Sequence, residues 1–98
     1  MKTFFKASKS GDFKKVQKLI KDGVDVNTID KAGWTALHFA SARGHIDVIK
    51  VLINNRANLN IEAHGSRWTP LWLAKQNNRE GDHQLVINLL VQFRGWAI

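Results

Sequence analysis

The chain copies itself. Ala7, Ala40 and Ala74 lie 33 and 34 positions apart, and the stretch GVDVN at 23–27 answers RANLN at 56–60. An apolar triplet recurs in the same phase as Val16-Leu19-Ile20, Ile49-Leu52-Ile53 and Val86-Leu89-Leu90. The central copy, Lys31 to His64, reads as a loop, a short helix, a tight turn, a longer helix and a return loop. Ala36, Leu37, Phe39 and Ala40 give the first helix an apolar side. Gly44 breaks the chain, and Ile46, Val48, Ile49, Val51, Leu52 and Ile53 follow at helical spacing. Two helices this short cannot bury their apolar sides alone, so a period of this length implies stacked units that share one continuous core.

Three segments carry a resemblance: Gly33-Trp34-Thr35-Ala36-Leu37-His38-Phe39-Ala40, then Gly44-His45, then Asn58-Leu59-Asn60. They resemble the ankyrin-repeat family, whose core pattern is TPLHLAA…GH…VV..LL…GADVN. The resemblance implies an all-α solenoid of helix-turn-helix units with β-hairpin finger loops. Residues 1–98 then form one domain: a first repeat at about 1–30 acting as N-terminal cap, a second at about 31–64, and a third at about 65–98 acting as C-terminal cap.

Composition narrows the class. A chain of 98 residues is near the size at which one core is only marginally stabilising. It has no cysteine, which removes disulfides and thiolate metal sites. No apolar run approaches the roughly 20 residues of a membrane span. Met1 to Phe5 starts like a signal peptide, but Lys6 and Lys9 end the apolar run, and the protein reads as intracellular and cytoplasmic. The net charge of +7 is concentrated near the start, in Lys2, Lys6, Lys9, Lys14, Lys15, Lys18 and Lys21.

Aligning Ala7 with Ala40 places Lys15 on Val48 and Lys18 on Val51. In a central repeat those positions meet the preceding neighbour. Lysine there is what an N-terminal cap requires, and the expectation is that the stack begins here. In the third repeat, Thr69-Pro70-Leu71 suits a helix start but Trp72 stands where His38 stood. Equating Gly81 with Gly44 adds three residues around Asn77 to Glu80, either lengthening the first helix or bulging the turn. A shift of 37 then sets Ile87 on Lys50 and Val91 on Asn54. This leaves an apolar stripe to be covered by the tail Phe93 to Ile98, by a second copy of the chain, or by a partner.

Little points to catalysis. Ser8, Ser10 and Ser41 lack a GxSxG context, the carboxylates are scattered, and neither GxxxxGK[ST] nor GxGxxG occurs. Asp12, Asp47 and Asp82 stand near starts of second helices, where they favour the dipole. His38 and His45 are seven apart, which is not a zinc spacing, and His64 and His83 have no acidic partners at ligand spacing. No cofactor or metal is expected. The resemblance instead gives His38 and His45 structural hydrogen bonds to neighbouring loops, and makes Asn27 and Asn60 bridges between successive loops. The LIKDGVDVN context of Asn27 also resembles the sequence that eukaryotic asparaginyl hydroxylases modify.

What is left is a binding surface. Ankyrin proteins contact partners with finger tips and the exposed, concave side of the first helices. Carried over, the finger positions are Lys31, Ala32 and Trp34, then Gly65, Ser66 and Trp68. The helix positions are Lys9 and Ser10, Ala42 and Arg43, then Gln76 and Asn77. The expected function is a non-catalytic protein–protein interaction module, with Arg43 as a hot spot for an acidic partner and Trp34 either a second hot spot or a ring that packs on the next finger and helps build the solenoid. Self-association through Ile87 and Val91 is a further expectation. The alternative is a basic adaptor that binds nucleic acid or another polyanion through its lysine-rich end.

Overall fold

The computed structural model describes residues 2–77 and 83–93. Among these, six α-helices form and no strand does: α1 Lys2–Ser10, α2 Phe13–Lys21, α3 Ala36–Arg43, α4 Ile46–Asn54, α5 Pro70–Gln76 and α6 Gln84–Phe93. They pair as α1/α2, α3/α4 and α5/α6. The pairs stack so that α1, α3 and α5 make one layer and α2, α4 and α6 the other.

Local chemistry starts the helices where the sequence says. Asp12 caps α2 by accepting from Lys15 N at 3.2 Å. Thr35 and His38 form a reciprocal box at the start of α3: Thr35 Oγ1 accepts from His38 N, and Thr35 N donates to His38 Nδ1 at 3.0 Å. Thr69 caps α5 through Trp72 N at 3.1 Å, with Pro70 in the first turn. Each such cap contributes about 1 kcal/mol.

The core runs through all three pairs and includes Phe4, Ala7, Val16, Leu37, Ala40, Val48, Ile49, Leu52, Ala74, Val86 and Leu90. Val48 and Val51 are buried, whereas their equivalents Lys15 and Lys18 are exposed. Among the described residues, no helix packs on the face of α2 that corresponds to the face α4 turns towards α2.

The long loops close as turns. Asp30 Oδ1 accepts from Ala32 N and Trp34 N, both at 2.9 Å, and Asp30 N donates to Trp34 O at 3.0 Å. In the next loop Ala63 holds the place of Asp30, and its N–H likewise reaches Trp68 O at 3.0 Å. The Ser66 hydroxyl takes over the role of the absent carboxylate by accepting from Trp68 N. Successive loops are stitched by His64 N to Ala32 O at 2.8 Å and by Asn58 N to Asn27 Oδ1 at 2.7 Å. The bridging role of Asn27 is thus visible in the structure.

The third repeat departs from the expected register. Helix α5 ends at Gln76, with Asn77 as its C-cap, so the inserted residues do not lengthen the helix. His83, not Asp82, is the counterpart of His45. His45 Nε2 donates to Lys9 O at 2.7 Å and His83 Nε2 donates to Ala42 O at 3.0 Å. Lys9 and Ala42 are one repeat apart. The insertion is therefore four residues rather than three, and the shift for α6 is 38 rather than 37.

That one-residue change rotates the reading of α6. Asn88 now falls on Lys50 and Gln92 on Asn54, all four exposed. Ile87 falls on Ile49 and is half-buried against the core, so it does not face open solvent as the shift of 37 had placed it. Val91 falls on Ile53 and is 44% exposed, because Ile53 is covered by the following pair and no described helix follows α6. Leu85, on Asp47, is the most exposed large apolar side chain among the described residues at 69%. The possible covering of this stripe by residues 94–98 lies outside the described residues.

Candidate interaction face

The angle between the loops and the inner layer is filled by aromatic rings in continuous contact. Phe5 of α1 meets Phe39 of α3 at 5.7 Å between centroids, and Phe39 meets Trp34 at 4.9 Å. Trp34 meets Trp68 edge-on at 6.2 Å, and Trp68 stacks on Trp72 of α5 at 5.2 Å with planes 8° apart. Such pairs contribute roughly 0.5–1.5 kcal/mol beyond their buried area. The Lys9 ammonium lies 4.6 Å from the centre of the Phe39 ring, a cation–π contact that fixes the charge at the edge of the row.

Exposure rises along the row. Phe5 is buried, Phe39 and Trp34 are half-buried, and Trp68 and Trp72 are 42% and 38% exposed. Trp34 and Trp68 occupy equivalent sequence positions but differ for a simple reason. Trp34 has a loop after it, and Trp68 is the loop after it. Trp34 packs on His38, Phe39 and Trp68, as a ring that builds the stack. Trp68 is the one that offers surface.

Trp72 shows what its departure from histidine does. His38 sends Nε2–H to Trp68 O at 2.8 Å, tying its helix to the next loop. An indole at the same place stacks on Trp68 and presents an apolar surface outward. Burial holds His38 below its ordinary pKa of 6.5, opposed by the Trp68 and Ile61 carbonyls and by the Asp30 charge. It is neutral, with Nδ1 accepting from Thr35 and the proton on Nε2.

The remaining sequence-predicted positions fall around this row. Lys31, Ala32 and Gly65 are exposed at the loop turns, and Ser66 is half-buried with its hydroxyl donated to Ala63 O. Lys9, Ser10 and Arg43 are exposed at the ends of α1 and α3. Ala42 is half-buried, and its carbonyl is taken by His83. Gln76 is exposed, while Asn77 spends its amide on Leu73 O at 2.8 Å as a cap. Sequence reasoning missed Phe5, Phe39 and Trp72 as parts of one surface. The signal was an aromatic residue on the same side of each inner helix. The three histidines His38, His45 and His83 are all bonded to carbonyls of adjacent repeats.

Comparison with known proteins agrees with this geometry. The family model described as ankyrin repeats (3 copies) matches residues 4–95. The chain belongs to the ankyrin-repeat family. Among curated relatives, ankyrin repeat domain-containing protein 40 of Homo sapiens is 43% identical over 56 residues, 56% of this chain and 15% of that protein. Ankyrin repeat, SAM and basic leucine zipper domain-containing protein 1 of Carollia perspicillata is 35% identical over 60 residues, 61% of this chain and 13% of that protein. BCL-6 corepressor-like protein 1 of Homo sapiens is 49% identical over 45 residues, 46% of this chain and 2% of that protein. The chain thus spans less than a sixth of the length of these relatives. Ankyrin repeats generally mediate protein–protein interaction. Among the described residues no helix is long and apolar enough to cross a membrane.

Proposed function

We propose that this ankyrin-repeat chain is a non-catalytic module that binds a partner protein inside the cell, through its finger loops and the exposed side of its inner helices. One observation carries the reading. The aromatic row emerges as the paired, exposed indoles of Trp68 and Trp72, beside loops and helix ends whose side chains are free to reach outward. Large rigid rings with some 40% exposure are what protein interfaces use as anchors.

Affinity capture with the wild-type chain, repeated with Trp68→Ala and Arg43→Ala, tests it. Proteins retained at raised salt by the wild type and lost by both variants support the reading. A second reading rests on the exposed lysines Lys6, Lys14, Lys15, Lys18 and Lys21 of the first pair. Capture that survives both variants but collapses with salt or with Lys6→Glu/Lys15→Glu favours a polyanion held at that end.

A further inference from the structure

The inner layer is charged with one sign only. Helices α1, α3 and α5 together contain five charged residues, Lys2, Lys6, Lys9, Arg43 and Lys75, and no carboxylate. Lys9, Arg43 and Lys75 are exposed, and none has a salt bridge among the described residues, where the only such pair is Lys18–Asp22. The nearby Asp30 is turned onto the amides of its own loop. Glu62 and Arg67 are both exposed in the second loop. Lys9 touches the aromatic row at Phe39, and Arg43 and Lys75 are the exposed charges of the other two inner helices.

We infer that the partner segment is an extended acidic polypeptide, whose apolar side chains lie on Trp68 and Trp72 and whose carboxylates pair with Arg43, Lys9 and Lys75. This rests on the protein-binding reading and adds the chemistry of the partner. Charge complementarity selects the sign. The arrangement of the rings selects peptide over single-stranded nucleic acid, whose bases need separate free faces to stack on. Here Trp68 and Trp72 are stacked on each other, Trp34 and Trp68 meet with planes 84° apart, and Phe39 carries the Lys9 ammonium. The exposed indole surface suits aliphatic, proline or aromatic side chains. Three inner helices spaced about 9 Å apart make a track of roughly 18 Å, which about six extended residues cover.

A phage-displayed library of random twelve-residue peptides, panned on the whole chain, tests this. The expected outcome is enrichment of sequences that combine Asp or Glu with Trp, Leu or Pro. A synthetic peptide from that set should bind at least tenfold more weakly to Trp68→Ala and to Arg43→Glu. It should bind unchanged to Lys18→Glu on the outer layer, with circular dichroism showing each variant folded. Enriched peptides that are neutral or basic, yet still lose affinity with Trp68→Ala, overturn the acidic assignment and leave the module reading standing. Peptides indifferent to Trp68→Ala and Arg43→Glu sink both. Displacement of the acidic peptide by a twelve-nucleotide oligothymidylate at the same ionic strength overturns the choice of polypeptide.

Discussion

His83 donates from Nε2 to the carbonyl of Ala42 at 3.0 Å, repeating one unit later the bond from His45 to Lys9. In both cases the ring fills the space beside a glycine of positive φ in the preceding turn. A Cβ on Gly11, at φ 82°, would come within 2.8 Å of His45, and one on Gly44, at φ 73°, within 3.1 Å of His83. The glycine both ends its helix and admits the ring that staples the next pair. His83→Ala should therefore cost about 1–3 kcal/mol, the usual penalty for a carbonyl left unpaired away from water, and His45→Ala, whose bond lies at the surface, about 0.5–1.5 kcal/mol. Urea unfolding measures it, and hydrogen exchange should show α6 opening first in His83→Ala. A stability loss below about 0.5 kcal/mol in both would deny the staple.

Acid should loosen the middle of the stack through His38. Burial holds its folded pKa below 6.5, so between the two pKa values the unfolded chain binds more protons. Stability is then fully present above about 6.5 and falls as pH drops through the depressed folded value. Protonation places a hydrogen on Nδ1, which must stop accepting from Thr35. Urea midpoints of the wild type and His38→Gln between pH 7.5 and 5 check this, since the wild type should show the steeper loss. Identical slopes would remove His38 as the cause.

Arg56 has φ 64°, the left-handed conformation that Gly23 takes at the equivalent point of the first repeat. A side chain there is strained by its Cβ. Arg56→Gly should stabilise the chain by roughly 0.5–1 kcal/mol even though glycine loosens the unfolded state. A lowered melting temperature would show that the arginine side chain makes compensating contacts.

Trp34 and Trp68 should separate on mutation. Trp34→Ala removes a half-buried ring packed on three others and should cost about 2–3 kcal/mol of stability, below the roughly 3–5 kcal/mol of fully buried aromatic truncations. Trp68→Ala should cost less stability and more affinity. Chemical unfolding and peptide binding measured on the same two proteins decide it. Equal stability losses would mean that Trp68 is mainly structural.

Lys15 and Lys18 are exposed at the positions where Val48 and Val51 are buried one repeat later, and we propose that they keep this face of the first pair from associating. With Lys15→Val and Lys18→Val, α2 would present the apolar surface that Val48 and Val51 bury one repeat later. The doubly substituted chain should fold and self-associate. Sedimentation showing a monomer at every concentration would argue against the cap.

Much of this molecule is written in the sequence. The three copies, the core positions and the acidic start of α2 at Asp12 follow from local preferences repeated in phase. The histidine bonds, the Asn27 bridge and the binding face were legible only by resemblance. Two things waited for tertiary structure. Glycine spacing suggested three inserted residues, but a turn tolerates any length that its ends allow. Only the seat of His83 on Ala42 set the true count at four and turned α6 by one residue. The row of rings likewise joins residues far apart in sequence, and its exposed end depends on what stacks next. Trp34 and Trp68 have the same local code. One is covered and the other open because a repeat's surface is defined by its neighbour, which no single repeat encodes.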